Sequence, residues 1–553
     1  MKRIISFVLA TVMILLLFGC DRAEDQNKTN DQTEPAMDLS GKYRLDESLN
    51  EAIIDDAGTV SSSVEGNAGV FYQIFVGSFS DSDGDGTGDI RGIINRFDYL
   101  NDGNDNSGVS LGVEGIWLTP IFDSPSYHKY DVNDYYTVDP DFGTEEDLKE
   151  LIDLCHQRNV KLIIDLPINH TSRNNLWYIR FLNAHKDKDT ENEYYDFYSY
   201  SDSPLGSRKF ASITGTSEYY ECNFSGDMPE LNFDNDSVRQ AVVDVAKYYL
   251  DMGVDGFRFA AAKYIYLGEE AKNAAFWQWY MDELHSIKSD IYTVAEVWDS
   301  DSITYPYFTS TNCFNFSMSQ TSGMIAQTAK AGDVNVFTSY VNRYLTAIKA
   351  KNPDAMMISF ISNHDMDRSA GYLTLASGQA KVAANLSILL PGSTFIYYGE
   401  EIGMKGSRGS EATDANRRLA MLWGDEDTVS DPIGANYTVE QSNGTVADQK
   451  PDGNSLYNHY KKLIAVRKAN PEIAYGTYTP LVITDSKLGG FISTYNDSTV
   501  AVIHNTSQSS VEIDLSTVSD VLLTELEAYV GVGTAKLEGT VLTIDGQTSV
   551  VLK

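Results

Sequence analysis

Eight short apolar runs, at residues 71–79, 113–122, 160–165, 256–259, 292–298, 313–319, 356–362 and 393–399, punctuate a chain whose intervening segments carry helical spacing. Runs this short, and this rich in β-branched and aromatic residues, read as buried strands. Between them, Thr144 stands as an N-cap ahead of Leu148, Leu151, Ile152 and Cys155. Asp236 takes the same place ahead of Val238, Val242, Tyr249 and Leu250, and Gly253 ends that second helix. Strand followed by helix, repeated, leaves few folds: successive parallel strands need a crossover, and eight such units close into an α/β (β/α)8 TIM barrel. Chemistry in that architecture stands at the carboxyl ends of the strands.

Two regions break the alternation. Residues 171–230, after the third strand, are aromatic and polar without helical period and read as an inserted domain. Beyond the helix at 456–469, stopped by Pro471, the pattern becomes short alternating strands with Gly, Asn and Ser turns. Residues 477–553 are therefore expected to form a separate antiparallel β-sandwich, leaving 67–170 and 231–470 for the barrel. A chain of 553 residues needs such a division, because single cores stop growing well short of that length.

The amino terminus reads as an address. Lys2 and Arg3 precede an apolar run at 4–18 that is too short for a comfortable membrane span and suits a signal peptide. It ends Leu17-Phe18-Gly19-Cys20, similar to a bacterial lipobox, so cleavage after residue 19 would leave Cys20 as a lipid-bearing amino terminus. A plain signal peptide or an uncleaved anchor is the alternative. Residues 21–35 are too polar to fold and read as a tether, and 36–66 carry helix-compatible pieces without a clear assignment. The expected place is outside the cytoplasmic membrane, held to it only through that lipid.

With 42 Lys and Arg against 79 Asp and Glu, the formal charge of −37 disfavours nucleic acid and anionic lipid surfaces and suits a neutral or cationic substrate. Cys155, Cys222 and Cys313 are widely spaced with no CxxC pair, so neither a zinc site nor a disulfide framework is indicated.

Polar groups collect at the expected strand ends. Asp165, Asn169 and His170 close the third, Glu296 closes the fifth, and Asn363, His364 and Asp365 close the seventh. One carboxylate at a strand end is often a cap, whereas three such sets on one rim point to a site. These segments, together with YHKYD at 127–131, MPELN at 228–232, GFRF at 256–259 and YYGEEIGM at 397–404, resemble the α-amylase family, glycoside hydrolase family 13. MPELN is similar to the motif of its neopullulanase-like and intermediate branches.

The resemblance implies a barrel with a domain inserted after strand 3, a β-sandwich behind it, and retaining hydrolysis of α-1,4-glucans such as starch or maltooligosaccharides by a monomer. Retention requires a nucleophile below the anomeric carbon and an acid beside the leaving oxygen, with carboxyls about 5 Å apart. By that resemblance Glu296 is the acid/base, Asp365 grips the sugar hydroxyls and steadies the transition state, and Arg258 orients the nucleophile. His128, Tyr130, Asp165, His170, Asn363 and His364 are implied in substrate binding. Lys263 is followed by Tyr264 where many members carry histidine, a change at the subsite that accepts the leaving sugar.

The family segment runs GFRxD, and this chain has Ala260 where the nucleophilic aspartate belongs. A methyl group cannot form a glycosyl ester. Asp255 lies at odd spacing near the start of the strand and cannot stand in. An engineered inactive variant, a natural relative that only binds carbohydrate, and a sequence error are the three explanations. The expected function is an α-amylase-type hydrolase disabled at residue 260, with a non-catalytic starch or maltodextrin binder as the alternative.

A second cluster, DSDGDGTGD at 81–89, places carboxylates at alternate positions with glycines between, a pattern suited to one hard cation such as Ca²⁺. It fails the EF-hand test because Gly92 stands where a bidentate glutamate is needed. It is similar to the calcium loop after the first strand in oligo-1,6-glucosidase-like members, which implies Asp81, Asp83, Asp85 and Asp89 as side-chain ligands and Thr87 through its carbonyl. Asn169 aligns with a ligand of a second calcium site found in many α-amylases.

Overall fold

The computed structural model describes residues 67–104, 107–409 and 413–553. The expected signal peptide, Cys20 and the tether lie outside these residues.

Eight parallel strands form the central sheet: β1 (Val70–Ile74), β2 (Gly115–Leu118), β3 (Lys161–Leu166), β4 (Gly256–Phe259), β5 (Tyr292–Ala295), β6 (Asn312–Cys313), β7 (Ile358–Phe360) and β8 (Ser393–Tyr397). Their order is β6-β5-β4-β3-β2-β1-β8-β7. A parallel bridge from Phe314 to Ile358 joins the two ends and closes the barrel. Asn315 N–H donates to the Ile358 carbonyl at 2.9 Å beside it.

The interior is a packed core. Phe71, Trp117, Ile163, Tyr292, Val294, Phe314, Ile358, Phe360 and Phe395 pack inside the ring, with Phe71 stacked on Phe395 at 4.8 Å between centroids. Gly115 makes room for this layer, since an added Cβ would lie 2.3 Å from the Phe71 ring.

Most strands are shorter than their apolar runs. The run at 71–79 leaves the sheet after Ile74 and turns through Val76–Ser78, and the run at 313–319 keeps only Cys313 in its strand before turning at Phe316–Met318. These turns lie at the carboxyl ends, where the backbone abandons pairing to aim side chains across the rim. Thr144 caps the helix Glu145–Gln157 as expected, in a reciprocal box with Asp147. The helix Asp236–Met252 begins one residue differently: Asn235 is the cap, accepting from Ser237 N–H, and Asp236 is its first helical residue. Either short polar side chain can cap, and their adjacency hid the register.

Between β3 and the helix Asp236–Met252 the chain forms the helix Leu176–Asp187 and a small sheet of Tyr200–Ser201, Tyr219–Glu221 and Phe210–Ser212. A bridge from His170 to Glu230 binds this insertion to the segment after β3, and one from Tyr198 to Leu231 binds it to the segment that leads into the helix Asp236–Met252. From Thr477 onward all the strands pair antiparallel, in a sheet of five and a sheet of three. Leu488, Ala501, Ile503, Leu542, Ile544, Val550 and Leu552 fill the core they share.

Candidate active site

Arg258 and Ala260 alternate along β4 and its extension, so both face the barrel axis. Arg258 is buried with 1% exposure. One guanidinium nitrogen lies 2.8 Å from both oxygens of Asp165, and the other lies 3.0 Å from Glu296 Oε2. Its plane sits over the Trp117 ring at 5.1 Å. Burial opposes the arginine's charge, and Asp165 and Glu296 more than restore it.

Asp165 is fully buried behind the rim. Burial pushes its pKa up to about 6 against the pull of Arg258 and a 2.7 Å hydrogen bond from the Tyr130 hydroxyl. That hydroxyl also meets His364 Nε2 at 2.6 Å, and the two rings stack 4° from parallel. Gln73 Nε2 contacts His364 Nδ1 at 2.7 Å, which leaves the ring proton on Nε2 facing Asp365 Oδ2 at 3.1 Å. Burial drives His364 down to about 3. It is therefore a neutral donor with no exposed surface.

Asp365 reaches the cavity. Burial alone would raise its pKa, but His364, Arg418 and Arg258 hold it well below the ordinary carboxylate value. Arg418 clamps it: Nη2 donates to Asp365 Oδ1 at 2.7 Å, Nε to the His364 carbonyl at 3.0 Å, and Nη1 to the Tyr127 hydroxyl at 3.0 Å.

Glu296 follows β5, its amide bonded to the Phe259 carbonyl at 2.9 Å. Its Oε2 accepts from Ala261 N–H at 2.8 Å. Ala261 adopts φ 48°, ψ 40°, a left-handed conformation that L residues other than glycine seldom take. The turn thus aims its amide at the carboxylate.

These groups open on one cavity of about 760 Å³, lined by His128, Tyr130, His170, Arg258, Ala260, Lys263, Tyr264, Glu296 and Asp365 among others. His128 Nδ1 accepts from Tyr130 N–H at 3.1 Å, which frees Nε2–H. His170 is held by Asn169 at 2.8 Å and the Tyr130 carbonyl at 3.2 Å, and burial lowers it to about 4. Lys263 is turned away onto the Trp298 carbonyl at 2.8 Å and Asp299 at 3.1 Å. Asp165, Asn363 and His364 do not line this cavity; they bond the residues that do. Asn363 accepts from Asp365 N–H at 2.9 Å.

The model of the "Alpha amylase, catalytic domain" family matches residues 73–476.

The chain belongs to the alpha-amylase family.

It is 34% identical over 445 residues to "Alpha-amylase 3" of Dictyoglomus thermophilum, covering 79% of this chain and 84% of the relative. It is 29% identical to the "Oligo-1,6-glucosidase" of Bacillus cereus, covering 83% and 94%. The solved structure titled "Eubacterium rectale Amy13B" superposes with a TM-score of 0.83 at 33% identity, covering 90% of this chain and 98% of that one.

For a member of this family the lining contains further residues that sequence reasoning left out. Arg418, Thr413 and Asp414 come from the long loop after β8, and Phe224 and Met228 from the insertion. Trp298, 42% exposed, stacks on Phe316 at 5.0 Å, and Phe224 lies 4.6 Å from Tyr264. Met228 and Tyr127 stood inside quoted motifs. Arg418 had no local signal, since its partner Asp365 is distant in the chain.

Asp255 lies at the opposite end of β4, accepting from Leu162 N–H at 2.8 Å and 3.2 Å from His156. It cannot serve the cavity.

Among the described residues, one cluster offers carboxylates in the manner of a cation site: single oxygens of Asp81, Asp83 and Asp89 lie within 4.8 Å of one another. Burial acts to raise Asp81, but hydrogen bonds from Thr428, Gly84, Gly86 and Asp83 hold it below the ordinary value, so it offers charge. Asp89 also caps the helix Ile90–Asn95. Asp85 does not join the group and accepts Thr87 N–H at 2.7 Å. Three convergent hard oxygens fit a cation such as Ca²⁺. Asn169 is buried with its Oδ1 unpartnered and its Nδ2 3.2 Å from Glu230. Burial lifts Glu230 to about 8.

Proposed function

We propose that this fold is that of a retaining hydrolase of α-1,4-glucosidic bonds in starch or maltooligosaccharides, and that Ala260 disables this copy. The single supporting observation is the convergence of Glu296, Asp365 and the Arg258–Ala260 edge of β4 on one cavity. In a chain with aspartate at 260, that carboxylate attacks the anomeric carbon from below while Glu296 protonates the leaving oxygen. Water then cleaves the glycosyl ester with Glu296 as base. Asp365, fixed by Arg418 and His364, accepts hydrogen bonds from the ring hydroxyls, and His128 Nε2–H is free to donate to the same sugar.

The remaining groups keep their mutual bonds around the missing carboxylate, which supports a single substitution over long decay. Loss of a nucleophile costs on the order of a million-fold in turnover where it has been measured in a serine protease, so the chain as written is expected to release negligible sugar. Ala260→Asp should restore release of reducing ends from maltoheptaose, and an inert Ala260→Asp protein rejects the reading. The alternative, a carbohydrate binder, predicts calorimetric binding of maltoheptaose by both forms and cleavage by neither.

A lipid anchor at Cys20 would place this activity at the cell surface, as a monomer. The Asp81–Asp83–Asp89 group would hold Ca²⁺ as a structural ion that brings compensating charge to the loop after β1.

A further inference from the structure

We propose that residues 45–55 of this chain form an amphipathic helix that seats in a second cavity, at the floor of the barrel, and ties the amino-terminal segment to the end opposite the active site.

This cavity has a volume of about 710 Å³. Tyr292 and Asn312, which begin β5 and β6, line it together with Ala68, Met357 and Gly392, which stand just before β1, β7 and β8. It therefore lies at the amino ends of the strands, whereas the active-site cavity lies at their carboxyl ends. Ile291, Leu345, Met356 and Tyr475 give it apolar wall, and the Tyr292 hydroxyl is buried without a partner. Covering apolar wall of this kind is favourable.

The chain joins the barrel through this wall. Asn67 and Ala68 are themselves lining residues. The Ser393 hydroxyl donates to the Asn67 carbonyl at 3.4 Å, and the Tyr475 hydroxyl donates to the Ala68 carbonyl at 2.7 Å. Whatever precedes residue 67 thus starts from the rim of the cavity.

The preceding sequence has the character of an occupant. Leu45, Leu49, Ala52 and Ile53 recur at the spacing of one helical face, and Asp46, Glu47, Glu51 and Asp55 fall on the remainder, with Ile54 the one large apolar residue outside the stripe. Isolated helices shorter than about 12–15 residues are marginal in water, so this one needs a surface to form on. The connection at 56–66, rich in Gly and Ser, spans at most about 38 Å extended and about 18 Å on average. That reach holds the stripe at roughly millimolar or higher effective concentration beside the cavity. Charge agrees with the placement: in a chain of formal charge −37, Asp354 is the one carboxylate among the lining residues and Lys349 stands among them. The acidic face therefore meets little repulsion there. An attachment at the amino terminus would then grip the barrel by its floor and leave the active-site cavity facing away from it.

The test uses the full chain in non-ionic detergent, with p-benzoylphenylalanine in place of Leu49. Irradiation should give crosslinks within one chain, mapped by mass spectrometry to residues 342–357 or 474–478. In the parent, amide exchange over residues 43–57 should be at least about ten-fold slower than in the free peptide. Leu45→Asp, Leu49→Asp and Ile53→Asp together should abolish that protection and lower the melting temperature by several degrees, while Glu47→Gln with Glu51→Gln keeps both. Crosslinks between two chains, to detergent or elsewhere in the same chain overturn the proposal, as does exchange of the parent segment at the rate of the free peptide. None of these readouts uses activity, so their failure leaves the hydrolase reading where it stands.

Discussion

Glu400 lies behind the site, where its carboxyl accepts from Ser362 at 2.9 Å, next to Asn363 in the chain, and from Tyr460 at 3.2 Å. Burial lifts its pKa to about 8 against those two hydrogen bonds, with Glu401 adding repulsion and Arg368 opposing it. The folded protein thus keeps this proton to about pH 8, whereas the unfolded chain releases it near the ordinary glutamate value of 4.5. Between those limits the unfolded state binds fewer protons, so stability falls as pH rises through the window. Glu400→Gln should flatten that fall, gaining in melting temperature relative to the parent at pH 8 but not at pH 5, read by thermal denaturation at both. Glu230 supports a similar trend. At this scale sequence was legible in kind but not in depth. Motifs named Asp165 and His364, yet alternation along a strand tells which face a residue takes and not whether another side chain stands in front of it. Tyr130 and Arg258 stand there.

The loop after β8 shows the same limit among elements. Residues 405–454 lack regular spacing, yet they deliver Arg418 to Asp365 and Thr413 and Asp414 to the cavity wall. Arg418→Gln should weaken maltoheptaose binding by roughly ten-fold or more, because a charged hydrogen bond to the carboxylate is replaced by a neutral one. Calorimetry on the variant checks this, and unchanged affinity would show that Asp365 needs no clamp. The regular elements were far easier to read. Apolar runs located all eight strands because a barrel strand is buried on both faces. Their ends were overestimated because apolarity continues past the last ladder bond, as Phe316 shows: it packs on Phe360 after pairing has ceased.

Across the molecule, the acidic loop after β1 and the loop after β8 are sewn together. Thr428 donates to Asp81 at 2.7 Å, Ser430 N–H to the Gly86 carbonyl at 2.9 Å, and Ser80 to Asp427 at 2.6 Å. The charge of −37 makes any uncompensated cluster of carboxylates costly. A chelator should therefore lower the melting temperature by several degrees and, through the shared loop, weaken maltoheptaose binding, with Ca²⁺ reversing both. A melt unmoved by chelator removes the ion from the account. The ring itself is fastened unevenly: most neighbouring strands share several rungs, while β6 supplies two residues and meets β7 through one bridge. A hoop basted at a single spot breathes there first. Phe316, lodged against Phe360 across that gap and beneath Trp298, makes the seam part of the doorway, so a saccharide resting on Trp298 would also draw the hoop shut.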